Sequence, residues 1–267
     1  MKFIYATDLH GEIPRYEAVY NYAIDNNIKY LHLGADILPK GSGMLGLQKK
    51  FVKGYLKSFY GRCEESGIKV ITMFGNDDIY TRKKYFKKYG KLIDEEPEEI
   101  EGYTFSGYPF VPDYPFGLVT ACKYDFEGWE PAPYFGKKWE VDNTGFVEIP
   151  DKLAYFKEKG TIEEDLSKIS ADNKTIAAIH CPPHSLELDV CMNGQRVGSK
   201  SIYDWIEREQ PRMVLCGHIH ENYYKTRRWK AKIGNTIVIQ PGQERDKTHA
   251  VIVDIEKEEC HTYLLEL

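Results

Sequence analysis

The run Met213-Val-Leu-Cys-Gly217-His218-Ile219-His220 puts two imidazoles, two residues apart, just beyond a short apolar segment that reads as a buried strand. Side chains two apart on extended backbone point the same way, so both rings can face one centre. An apolar run breaking into a metal-competent residue occurs four more times, at Asp8 with His10, at Asp36, at Asn76 and at His180. Carboxylate oxygen, amide oxygen and neutral imidazole together suit borderline and hard divalent ions such as Mn, Fe, Zn, Co or Ni. Cys63, Cys122, Cys181, Cys191, Cys216 and Cys260 are scattered without a C-x-x-C pair, which argues against a thiolate site or a disulfide scaffold and for reduced thiols. Seven candidate ligands exceed one ordinary coordination sphere. Two divalent ions sharing a bridging carboxylate are the expected solution, because the bridge offsets part of their mutual repulsion.

The elements that must position these groups follow from hydrophobic patterning. Strands are expected at Lys2–Thr7, Tyr30–Leu33, Lys69–Phe74, Tyr103–Gly107, Thr175–Ile179 and before Gly217, and each candidate ligand falls at a strand's carboxyl end. Helices are expected at Arg15–Asn26, behind Pro14, at Leu47 to about Glu65, at Thr161–Ile169 and at Ser201–Gln210, which Pro211 stops. Strand and helix alternate, as in a mostly parallel sheet, where ligands gather beyond the carboxyl ends of the strands. Four short segments, Lys230–Ile233, Thr236–Gln240, Ala250–Ile255 and Cys260–Leu265, are expected to build a second sheet from the C-terminal half.

Two stretches stand apart. Residues 82–88 carry Arg82, Lys83, Lys84, Lys87 and Lys88, read here as the solvent face of a short helix rather than a phosphate-attracting rim. Residues 108–150 are rich in aromatics, Pro and Gly and hold neither period for long. The expectation is a single domain over residues 1–267 with an aromatic insertion at about 108–150 that caps the site, and Trp129, Tyr134 and Trp139 are the candidates for stacking on a ligand.

Composition narrows the partners. The 267 residues are 42% hydrophobic and 29% charged, enough for one sizeable core. With 36 Lys plus Arg against 41 Asp plus Glu, the net charge of −5 argues against an extended nucleic-acid surface. No apolar run reaches membrane-spanning length, and the first residues lack a secretory apolar region, so no membrane partner and a cytoplasmic location are expected. A homo-oligomer is left open.

The order Asp8-x-His10, Gly34-x-Asp36, Gly75-Asn76, His180, Gly217-His218-x-His220 resembles the calcineurin-like metallophosphoesterases. The resemblance implies an α/β fold, a four-layer α/β/β/α sandwich of two mixed β-sheets. It implies that Asp8, His10 and His220 hold one ion, that Asn76, His180 and His218 hold the other, and that Asp36 bridges them, with Mn the ion expected to serve in assays. The implied activity is hydrolysis of a small phosphorylated substrate by metal-activated water, with Asp36, Asn76 and His218 at the reacting centre. Further similarity to a subgroup of small phosphodiesterases lies in His180-Cys-Pro-Pro, Leu188-Asp189 and Gly198-Ser199, the last two shaping the rim near the second ion. Gln240-Pro241-Gly242 resembles the Asn-Pro-Gly turn that closes the floor.

One position departs from the pattern. The family often has Gly-Asn-His, and here Asp77 stands where that assisting imidazole would be. A carboxylate beside a phosphate repels it unless it is protonated, turned away or holding another cation. His184, or His249, is the replacement donor this chain offers. The reading is therefore a phosphodiesterase, with a phosphomonoesterase or protein phosphatase as the alternative enzyme and a weakly active metal-binding scaffold as the alternative of another class.

Overall fold

The structure, a computed structural model, describes residues 1–79, 91–94, 96–142, 144–256 and 259–267. The basic run at 82–88, read above as a helix face, lies outside them. In chain order, β1 (Lys2–Ala6) leads into α1 (Ile13–Asp25), β2 (Tyr30–Leu33), α2 (Met44–Phe51), α3 (Lys57–Glu65), β3 (Lys69–Thr72) and β4 (Lys91–Leu92). Next come β5 (Glu98–Ile100), β6 (Tyr103–Tyr108), β7 (Val111–Pro112), β8 (Cys122–Lys123), β9 (Lys138–Val141), β10 (Phe146–Ile149), α4 (Lys152–Lys159) and α5 (Ile162–Leu166). The remainder is β11 (Thr175–Ile179), α6 (Lys200–Glu209), β12 (Met213–Leu215), α7 (Asn222–Thr226), β13 (Lys230–Ile233), β14 (Thr236–Ile239), β15 (His249–Glu256) and β16 (Glu259–Glu266).

Two six-stranded sheets result, in the orders β16-β15-β1-β2-β3-β4 and β13-β14-β12-β11-β6-β5. Both are mixed: β1 to β4 run parallel with β15 antiparallel beside β1, and β14, β12, β11 and β6 run parallel between two antiparallel edges. The period-two alternation of the strands decides the layers. On β1, Phe3 and Tyr5 join Ile176, Ala178, Met213 and Leu215 in a core between the sheets. Ile4 and Ala6 turn the other way and pack with Tyr16, Val19, Leu56 and Phe59 of the helices. On the second sheet Ala177, Ile179 and Val214 pack with Phe156, Leu166, Ile202 and Trp205. The architecture is thus the expected α/β/β/α sandwich of two mixed sheets.

Local chemistry explains the helix ends. Ser199 caps α6 by accepting the Ile202 N–H at 3.0 Å, and a capping box between Thr161 and Glu164 starts α5. α2 and α3 are joined by one wide π turn, Val52–Leu56, so the segment expected from Leu47 to Glu65 is a helical run with a bulge. α4 was not expected from the sequence, and α5 ends earlier than the expected Ile169.

The terminal strands correct an expectation. β13 and β14 do extend the second sheet, but β15 and β16 form a hairpin that pairs with β1 in the first. Val251 and Val253 bury one face of β15 between the sheets and Ala250 and Ile252 pack on the helix side, so the hairpin completes the sheet that the first half of the chain left with an open edge. Among the described residues no helix is long and apolar enough to cross a membrane.

Candidate metal centre

Five strand ends, those of β1, β2, β3, β11 and β12, deliver their loops to one point. Four of the side chains there sit on backbone that L-residues rarely adopt: φ is 56° at Asp8, 46° at His10, 51° at Asp36 and 72° at His218. Asp and His tolerate this region better than branched residues, and such strain persists only where the surroundings over-determine it. Here they do. Asp8 N–H donates to Ala35 O, His10 N–H to Asp36 O and Gly11 N–H to Ile37 O, each at 2.9 Å, and Arg15 Nη1 donates to Asp8 O at 3.0 Å. Asp78 is buried and accepts the N–H groups of Ile37, Leu38 and Gly75 at 3.2, 2.8 and 3.0 Å, tying the β2 and β3 loops together. Two glycines are dictated by closeness: a Cβ at Gly75 would run into Asp36, and one at Gly217 into Thr7 and the Asp8 carboxylate.

The side chains fall into two triads whose ligand atoms lie within 4.8 Å of one another, Asp8 with His10 and His220, and Asp36 with His180 and His218, and a third group of the same closeness, His10 with Asp36 and Asp77, overlaps both. In the first, His10 Nε2 is 3.0 Å from His220 Nε2, which is 3.4 Å from Asp8 Oδ1. In the second, His180 Nε2 lies 3.3 Å from Asp36 Oδ2 and 2.9 Å from Asn76 Oδ1. Asp36 Oδ2 is also 4.0 Å from His10 Nε2, so this one carboxylate faces both triads. The triads are linked again by Asp8, whose two oxygens accept the His218 N–H at 3.1 Å.

The electrostatics are those of crowded opposite charges under burial. Burial opposes ionisation of Asp36, but His180 and His10 outweigh it and hold the carboxyl well below the usual range. Asp8 likewise falls to about 2, its burial overcome by hydrogen bonding and charge from His220. Burial lowers His218 to about 3 and His10 to about 4, whereas the Asp36 carboxylate overcomes burial at His180 and raises it to about 9. The donor set fits divalent ions. The His10 and His220 Nε2 atoms lie 3.0 Å apart, with an Asp8 oxygen 3.4 Å from His220 and an Asp36 oxygen 4.0 Å from His10, so imidazole nitrogens and buried carboxylates converge on one place that a divalent cation would suit.

A cavity of about 350 Å³ opens over the centre, lined by Asp36, Lys40, Asn76, Asp77, Phe116, Leu118, His218, His220 and Glu221. Asp77 lies at this rim, where burial and then the Asp36 charge raise its carboxyl to about 6. The insertion reaches the site, though not through the rings expected. Tyr114 stacks on His218 with centroids 5.3 Å apart, and Phe116 meets the same ring edge-on at 6.4 Å. Trp129 lines another cavity, Tyr134 packs over Lys138 and Lys152, and Trp139 sits on β9.

His184 is exposed and lines that other cavity with Asp125, Trp129 and Tyr203, hydrogen-bonded to Ser185, so it does not stand in for the absent imidazole. His249 is buried with Nδ1 3.1 Å from Pro241 O and its ring against Tyr223, a packing role. Asp189 is buried and accepts the Gly198 N–H at 3.2 Å, bracing the loop after β11. The floor is built by Gln240, whose Nε2 donates to Gly217 O and Ile219 O at 2.9 Å, and by Gln243, whose backbone N–H donates to His220 O at 2.8 Å. Lys40, Gln48, Tyr114, Phe116 and Gln243 escaped the sequence reading. Only Lys40, four residues after Asp36, carried a signal of proximity there.

The profile of a family described as calcineurin-like phosphoesterase matches residues 1–222. No curated protein matches the chain in sequence. Among solved structures, TT1561 of Thermus thermophilus is similar over 98% of this chain and 97% of its own, with a TM-score of 0.55 and 14% identity. A dimetal phosphatase from Danio rerio is similar over 99% and 95%, with a TM-score of 0.57 and 9% identity. At such identities the likeness is one of fold.

Proposed function

The chain belongs to the calcineurin-like phosphoesterase family, and on that footing we propose that it hydrolyses a small phosphodiester with the help of two divalent ions. Asp8, His10 and His220 would hold one ion, Asn76, His180 and His218 the other, and Asp36 both. Bound there, the ions supply electrophilic charge toward the phosphoryl oxygens and the means to deprotonate a water near neutral pH. The observation that carries this reading is the buried Asp36 carboxylate, 3.3 Å from the imidazole of one triad and 4.0 Å from that of the other.

The residues around the centre favour a diester. The cavity rim carries Asp77 and Glu221 against Lys40, a surplus of negative charge that opposes a dianionic monoester more than a monoanionic diester. Phe116 and Leu118 offer apolar wall to an organic group on the far side of phosphorus. Tyr114, buried beneath Phe116 with its hydroxyl 3.6 Å from Cys181 Sγ, holds the His218 ring in plane. The test compares an aryl phosphodiester with its monoester after metals are stripped and Mn, Ni, Co or Zn restored, with His218→Ala as control. Metal-dependent diester turnover lost in the variant is expected; equal or greater monoester turnover contradicts the diester reading. Asp77→His, which replaces rim charge by an imidazole, should shift the ratio toward the monoester.

A further inference from the structure

The residue at position 77 poses a physical problem that the structure answers on the neighbouring loop. Lys40 Nζ lies 3.5 Å from Asp77 Oδ2 and 3.2 Å from His10 Nε2. Among the described residues lining the cavity over the centre, it is the one Lys or Arg. Its side chain is half exposed, 49%, so the ammonium stands at the mouth rather than in the protein interior.

Its placement is built. The Ile37 and Leu38 N–H groups are fixed by Asp78, and Gly11 N–H donates to Ile37 O. One buried amide then joins the two loops that matter: Gln48 Nε2 donates to Pro39 O at 3.1 Å and to Asp77 O at 2.7 Å, while its Oε1 accepts the Ile79 N–H at 3.0 Å. The backbone just before Lys40 and that of Asp77 are therefore held by the same side chain, which fixes where the ammonium and the carboxylate meet.

We propose that Lys40, tethered by Asp77 and framed by Gln48, is the cation that grips the phosphoryl oxygens of the substrate at the mouth of the centre; this rests on the phosphodiesterase reading above. An ion on His10 and the Lys40 ammonium compete for the same imidazole lone pair. With an ion held by His10, the ammonium would keep its contact to Asp77 and have donors free for an anion. Asp77 is then a positioning residue: its charge is answered by Lys40 and costs the phosphate less repulsion than a bare carboxylate. The group acts by charge and hydrogen bonding alone, with no proton transferred.

The experiment titrates inorganic phosphate into manganese-reconstituted full-length protein by calorimetry, with metal content measured on the same samples. Lys40→Met should weaken phosphate binding by about tenfold to a hundredfold, the loss expected for a charge-assisted hydrogen bond, with the metal content unchanged. Lys40→Arg should keep phosphate binding close to the original. Unchanged phosphate affinity in Lys40→Met overturns the proposal, and so does loss of metal in step with loss of phosphate, or an arginine variant as weak as the methionine one. A wild-type protein that holds its ions yet neither binds phosphate nor hydrolyses a diester defeats the phosphodiesterase reading itself. One that hydrolyses the diester while Lys40→Met binds phosphate normally defeats only the role of Lys40.

Discussion

His32 and His180 are both wholly buried, one in the middle of β2 and the other just past the end of β11, and their surroundings differ completely. His32 is packed by the rings of Phe3, Tyr5 and Phe105, with centroids 5.4 to 6.5 Å away, and neither ring nitrogen has a hydrogen-bond partner among the described residues. Burial alone then drives it down to about 3. His180 suffers the same burial, but Asp36 stands 3.3 Å from its Nε2 and the proton is held up to about 9. A buried imidazole is ordinary core until a carboxylate converges on it. The sandwich interior keeps His32 neutral, whereas the Asp36 carboxylate favours positive charge at His180, carried by a proton in the metal-free chain and open to a cation that displaces that proton.

The sharpest way to break this contrast is to remove the converging carboxylate. Asp36→Ala should leave His180 in surroundings closer to those of His32, strip both ions of their shared ligand and lower diester turnover by at least about a hundredfold, since even outer ligand partners are worth roughly 10- to 100-fold. Retained two-metal content in that variant, measured by elemental analysis, would count against the bridge. A smaller effect is expected from the frame. Gln48→Leu should destabilise the fold by about 2–4 kcal/mol in urea unfolding, because Pro39 O, Asp77 O and the Ile79 N–H lose their partner together.

The other half of the contrast is tested by acid. His32 is depressed below its unfolded value of about 6.5, so the unfolded chain binds the extra proton and stability falls as pH drops below that value. Between pH 7 and pH 5 the loss attributable to this ring is about 2 kcal/mol. His32→Leu should flatten the acid side of the stability profile by that amount, and a profile that falls as steeply as before would show that the ring titrates elsewhere. The least effect is expected at the rim. Phe116→Ala should raise KM for an aryl diester about fivefold, the worth of one aromatic contact, with little change for the monoester.

Much of this was legible before the fold was known, because short apolar runs breaking into Asp, Asn or His need no tertiary knowledge to be seen. Five strand ends and all seven candidate ligands could be located on that basis. The return of β15 and β16 to the first sheet could not be seen, since an apolar run says that a strand is buried and not which sheet it joins. Nor could the aromatics of the insertion be ranked. Trp129 and Tyr114 look alike in sequence, and the turn that aims Tyr114 at His218 is held by the buried Lys138–Asp113 ion pair, a partner 25 residues away. Gln48 was invisible for the same reason, and Lys40 showed only its nearness to Asp36 in sequence: a solvent-side lysine and a helix glutamine acquire meaning only when two loops meet.

The central claim is that one carboxylate, Asp36, joins two triads into a single dinuclear centre. Manganese titration of metal-free protein, followed by elemental analysis and electron paramagnetic resonance, tests it most directly. The account predicts two manganese ions per chain with an exchange-coupled spectrum, reduced to isolated or absent ions in Asp36→Ala. Two uncoupled ions, or a single ion, in the wild-type protein would contradict it.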